Sequence, residues 1–171
     1  MTPVSAGEIW NVTTADAATD VGRFSSLAIG IDDIPAISYL DYDANNLKYA
    51  WNDGNGWQTT TVDANKSVGY HTSLVLDAEN HAAISYYDAI NEDLKYARYD
   101  GADWLITTVD TAGGAVGWYT SLAWDNNGHP AISYQNFSQL DLKYAWNDGT
   151  GWETVTVDAG GERRMVFFAC L

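Results

Sequence analysis

Three stretches decide the fold: residues 26–57, SLAIGIDDIPAISYLDYDANNLKYAWNDGNGW; residues 73–104, SLVLDAENHAAISYYDAINEDLKYARYDGADW; and residues 121–152, SLAWDNNGHPAISYQNFSQLDLKYAWNDGTGW. Each runs eleven residues from its Ser to the Ile of ISY, ten more to the Leu of LKYA, and ten more to a Trp. Trp10, Trp57, Trp104 and Trp152 lie 47, 47 and 48 residues apart, and Ser26, Ser73 and Ser121 lie 47 and 48 apart. Only the stretch from Trp to Ser changes length, by one residue in the third unit. A fixed period in this range marks a repeat architecture.

Each unit predicts four short strands. The first is SLAIG, SLVLD or SLAWD, and the second PAISYLD, AAISYYD or PAISYQN. The third is LKYAWND, LKYARYD or LKYAWND, and the fourth begins at the Trp, as in WQTTTVD. Tyr, Val, Ile, Thr and Trp dominate them, and these residue types favour strands. WQTTTVD alternates clearly, whereas SLVLD does not, which predicts a first strand buried on both faces. DGNG, DGAD and DGTG before each Trp place Gly where a tight hairpin needs positive φ. No segment sustains a 3.6-residue apolar period, so helix is expected to be minimal. Four strands per unit, repeated in tandem, is one propeller blade per unit.

The motifs SLAxD, AISYxD, LKYA and DGxGW resemble the tandem repeats of bacterial β-propeller proteins, and their period is similar to that of lectin propellers. The resemblance spans residues 10–161 and implies fold rather than activity. Sialidase-like propellers carry an Asp-box turn in each blade. Here Ser121, Asp125 and Gly128 echo it with the wrong spacing and no terminal Trp. The expected organisation is an N-terminal segment 1–9 and blade repeats over 10–161. Within the repeats come an orphan outer strand 10–16, blade 1 at 17–63, blade 2 at 64–110 and blade 3 at 111–158.

The tail 162–171 leaves the pattern. With its codons read one base forward, the Met165–Val166 junction becomes Trp, and the remaining codons permit Ser-Val-Gly before it and Tyr-Ser-Ser-Leu-Ala after it. That reading aligns with residues 67–75 and predicts a frameshifted start of a fourth blade. Propellers have four to eight blades, so three cannot close a ring and would leave flanks bare. The fold class expected is therefore an all-β propeller fragment, with three four-stranded blades and an extra outer strand, completed by oligomerisation. Two chains supply six blades; a seven-bladed dimer using the leftover strands is the alternative.

Composition narrows the partners. Eight Lys and Arg against 23 Asp and Glu give a net charge of −15. Nucleic acid and anionic membrane surfaces call for a basic footprint, so neither is an expected partner. No apolar run approaches the length of a membrane span, and no leader is read at the N-terminus, so a soluble chain is expected. The single cysteine, Cys170, excludes an internal disulfide. No cofactor and no metal are expected. His81 and His129 share one turn position, and His71 stands alone.

Candidate site residues come from positions that repeat or vary in register. Lys48, Lys95 and Lys143 recur in LKYA, and Asp41, Asp88 and Asn136 close the second strand. They form either one polar binding set per blade or a repeated structural pair. The serines Ser26, Ser73 and Ser121 have no catalytic partner at fixed spacing, and read as hydroxyls that satisfy backbone. Aromatics are the leading ligand candidates: Trp51 and Trp146, with Arg98 at the same place in the second unit, and Tyr70 and Trp118. Flat aromatic faces stack on sugar C–H surfaces while polar neighbours bind hydroxyls. Trp57, Trp104 and Trp152 are expected to pack.

No pair of carboxylates stands out for glycoside hydrolysis, so no catalytic residue is assigned. The leading reading is a non-catalytic binding or scaffold module that self-assembles, with glycans as ligand. The alternatives are a remnant of a glycan-active propeller hydrolase and a propeller with no ligand.

Overall fold

A computed structural model describes residues 11–31 and 33–160. Blade 1 contains β1 (Val21–Ile29), β2 (Pro35–Asp41), β3 (Asn46–Asn52) and β4 (Trp57–Asp63). Blade 2 contains β5 (Val68–Leu76), β6 (Ala82–Asp88), β7 (Asp93–Tyr99) and β8 (Trp104–Asp110). Blade 3 contains β9 (Val116–Trp124), β10 (Pro130–Asn136), β11 (Asp141–Asn147) and β12 (Trp152–Asp158). Each blade is a four-stranded antiparallel meander in chain order. The chain is thus an all-β propeller fragment of three blades. Among the described residues no helix is long and apolar enough to cross a membrane.

Sequence identity between units becomes identity of register. Ile37 faces Ala50, Ile84 faces Ala97, and Ile132 faces Ala145 across the second and third strands. The hairpins into the fourth strands close as expected: Asp53 N donates to Gly56 O at 3.2 Å, and Asp100 N to Asp103 O at 3.1 Å. Gly54 and Gly101 hold φ of 87° and 101° there, a region L side chains enter at a cost.

The cores lie between blades. One joins Leu47, Val62, Tyr49 and Trp51 of blade 1 to Val68, Leu74, Ile84, Tyr86 and Trp104 of blade 2. The other joins Ala83, Leu94, Tyr96 and Val109 of blade 2 to Val116, Leu122, Ile132, Tyr134 and Trp152 of blade 3. Trp104 and Trp152 pack against these cores.

Three expectations need adjustment. The first strand is not the most enclosed; every residue of β6 is buried, whereas β5 is buried in part. β5 is an edge strand of its sheet, while β6 has a strand on each side within its sheet, packs on β9 of blade 3, and reaches Asp63 of blade 1 through Tyr86. First strands also begin earlier than SLAIG suggests, because bulges carry the pairing back to Val21, Val68 and Val116. Phe24, His71 and Tyr119 hold φ of 53°, 54° and 51° at those bulges.

Finally, residues 11–16 form no strand, since no third strand of a preceding blade lies beside them among the described residues. Trp10, the segment 1–9 and the tail 162–171 lie outside the described residues.

Candidate functional site

Two of the three repeated lysines, Lys95 and Lys143, meet carboxylates at the joints between blades. Asp63 at the end of β4 accepts a hydrogen bond from the Tyr86 hydroxyl at 2.7 Å and lies 3.5 Å from Lys95 Nζ. Asp110 at the end of β8 accepts from the Tyr134 hydroxyl at 2.5 Å and pairs with Lys143. Asp16 repeats the arrangement, accepting from the Tyr39 hydroxyl at 2.6 Å and pairing with Lys48. Burial pushes the Asp16 carboxyl up, but Lys48, Tyr39 and the Ala18 N–H outweigh it and hold the group at about 2. The same balance lowers Asp110.

Asp41, Asp88 and Asn136 serve their own turns. Asp41 accepts from Ala44 N, Asp88 from Ile90 N and Asn91 N, and Asn136 Oδ1 from Gln139 N. Asp88 and Asn136 are buried, and Asp88 also lies 3.7 Å from Lys95. The serines satisfy backbone across the joints: Ser26 Oγ accepts from Leu74 N and Ser73 Oγ from Leu122 N, each at 3.0 Å.

The aromatic candidates separate into two places. Trp51 lines a cleft of about 520 Å³ between blades 1 and 2, with Tyr49, Asn80, His81, Tyr99, Asp103 and Trp104. Trp51 stacks on Tyr49, with centroids 5.6 Å apart and planes 19° apart, and Trp104 meets Tyr49 edge-on at 5.5 Å. Burial pushes the Tyr49 phenol up to about 12. In blade 3, Trp146 stacks on Tyr144 in the same way, at 5.5 Å and 19°. Tyr144 is exposed there. At the second joint Arg98 takes the Trp position, lying 5.5 Å above the Trp124 ring and 3.5 Å from Asp77.

Tyr70 and Trp118 lie elsewhere, beside the bulges of the first strands. Phe24 packs against Tyr70 and His71, and His71 packs against Trp118 and Tyr119. Trp118 stacks on Phe137 at 4.1 Å. Burial lowers the affinity of His71 for a proton.

His81, read from sequence as a turn residue, lines the cleft, where it meets Tyr99 edge-on at 6.1 Å. Asp77, Glu79 and His81 bring three ligand-type atoms within 4.8 Å of one another. Asp77 Oδ1 is already engaged by the backbone N–H groups of Glu79 and His81, which is turn capping. The position of His81 over the cleft was hidden in the sequence, because Trp51 and Tyr49 belong to the preceding unit.

Repeated blades joined by apolar cores, with a cleft at a blade joint, define a β-propeller. Two solved propeller structures are similar. One is a mutant of AofleA from Arthrobotrys oligospora, 19% identical with a TM-score of 0.55. The other is a mutant of the Aleuria aurantia lectin in complex with Fucα1-6GlcNAc, 19% identical with a TM-score of 0.56. The matches cover 80% and 82% of this chain but 44% and 47% of those chains, so this chain spans about half their length. No protein-family profile matches the sequence, and none of the curated proteins compared with it does.

Proposed function

We propose that this chain is a lectin-like propeller module that binds glycans in clefts between blades, and that two copies associate into a closed six-bladed ring. The observation that supports it is the Trp51 cleft, an aromatic wall of Trp51, Tyr49 and Trp104 beside Asn80, His81 and Asp103. A sugar ring offers an apolar face to the wall and hydroxyls to those polar groups. Trp146 and Tyr144 repeat half of that wall on the bare side of blade 3, where a neighbouring blade would supply the rest. Several weak equivalent sites in one ring gain avidity without new contacts.

A glycan array followed by calorimetric titration of the best ligand tests this. Saturable binding without turnover is expected, and Trp51→Ala should weaken it about tenfold or more, as loss of a central aromatic anchor does. Absence of binding to any glycan would overturn the reading. Turnover of chromogenic glycosides by the same preparation would replace it with a hydrolase.

A further inference from the structure

Each joint between blades is a template for the two bare flanks, because four contacts recur at both joints. A Cβ on Gly69 would stand 2.9 Å from Leu47 Cα, and one on Gly117 would stand 2.9 Å from Leu94 Cα. Ser26 and Ser73 accept from the backbone of Leu74 and Leu122. Thr72 Oγ1 donates to Phe24 O at 2.9 Å, and Thr120 Oγ1 to His71 O at 2.7 Å. Asp63 meets Tyr86 and Lys95, and Asp110 meets Tyr134 and Lys143.

Repeating each contact once more matches the leading flank of blade 1 to the trailing flank of blade 3. Gly22 falls against Leu142, Leu27 N against Ser121, Ser25 against the Tyr119 carbonyl, and Tyr39 with Lys48 against Asp158. Among the described residues the flanks are bare at the first three of those contacts. A Cβ on Gly22 would meet nothing within 4 Å, and Leu27, Ile29, Leu142 and Val157 are exposed. The occupant these flanks specify is a second copy of this chain, docked blade 3 to blade 1.

One of the four contacts is already taken. The segments ending in Asp16, Asp63, Asp110 and Asp158 share one spacing from Trp to Asp, so the chain has four such carboxylates. It has three Tyr–Lys pairs to receive them: Tyr39 with Lys48, Tyr86 with Lys95, and Tyr134 with Lys143. Asp158 is exposed, and no hydrogen bond or ion pair engages its carboxylate among the described residues. Asp16 is held on blade 1 with further support from Thr13 Oγ1, which accepts from Trp57 Nε1 at 3.2 Å.

We propose that residues 11–16 are a latch: Asp16 occupies the Tyr39–Lys48 pair that Asp158 of a second copy must take before two chains can join. This rests on the self-association proposed above. Opening the latch gives up one carboxylate and gains an equivalent one, so the exchange is nearly balanced. The net drive toward joining comes from burying Leu27, Ile29, Leu142 and Val157.

Zero-length carbodiimide cross-linking tests it on the full chain. The reagent activates a carboxylate, the lysine amine displaces the urea, and the amide that remains names the pair. Mixed isotope-labelled and unlabelled chains separate links within a chain from links between chains. Dilute protein should link Lys48 to Asp16, and concentrated protein should link Lys48 to Asp158 of another chain. Asp16→Asn should tighten dimerisation about tenfold, since the charge-assisted competitor is gone, and should raise the Lys48–Asp158 link. Asp158→Asn should abolish that link. Links from Lys95 to Asp63 and from Lys143 to Asp110 should persist throughout, reporting an intact fold. A dimer in which Lys48 still links to Asp16, with dimerisation unmoved by Asp16→Asn, overturns the latch alone. A wild-type chain and an Asp16→Asn chain that both stay monomeric at every concentration overturn self-association and the latch together.

Discussion

Leu94 in blade 2 and Leu142 in blade 3 are the same residue of the same LKYA motif, yet one is fully buried and the other 47% exposed. Leu74 and Leu27 differ in the same way on the opposite flank, at 5% and 62%. Among the described residues blade 2 has a neighbour on each side, and blades 1 and 3 have one each. A side chain in this molecule therefore acquires its role from the adjacent blade more than from its own. The contrast also places the apolar packing at the joints between blades.

The largest expected effect separates those leucines. Leu94→Ala should destabilise the chain by about 3–5 kcal/mol, the range for emptying a closed core site, while Leu142→Ala should cost about 1 kcal/mol or less in dilute solution. Urea unfolding at low concentration measures both, and equal losses would break the comparison between inner and outer blades. A middle-sized effect lies at the glycines. Gly117→Ala brings a Cβ against Leu94 backbone at a φ of 106°, and should cost about 2–3 kcal/mol. Gly22→Ala carries backbone strain alone, and should cost about 1 kcal/mol. Thermal midpoints of the two variants, taken side by side, would show the gap.

The smallest effect is in acid. The Asp16 carboxyl is held at about 2, below its ordinary 3.8. A depressed acid contributes stability that is complete above 3.8 and is lost as pH falls through 2. With solvent screening the loss is about 1 kcal/mol. Asp16→Asn should flatten that part of the acid-unfolding curve, and an unchanged curve would show that the contact contributes nothing to blade 1.

Much of the fold was readable because the repeat fixes hairpin positions: WQTTTVD and WLITTVD are β4 and β8 residue for residue. The second irregularity in each first strand was not readable, since its positive φ falls on Phe24, His71 and Tyr119, residue types that do not announce it. The site was legible only in halves. Trp51 stood out by position, but the wall opposite, with His81 and Asp103, comes from the next repeat and depends on how blades stack. Arg98 occupies the Trp51 position yet faces Trp124 of the next blade and Asp77 of its own. The Lys–Asp pairing looked like a partnership within one blade and is mainly one between blades. The spacing from Trp57 to Asp63 to Lys95 crosses a unit boundary.

Placing the cores between blades also changes how stability scales. Three blades in one chain enclose two such cores, so two separate chains hold four. Closed end to end into a ring, the same six blades would enclose six, half as many again from the same residues. If two copies close the ring as proposed above, part of the cohesion would come from protein concentration, and the thermal midpoint should rise as concentration rises. Each added blade would then count by the neighbour it touches, so that abundance itself becomes a structural element of the fold.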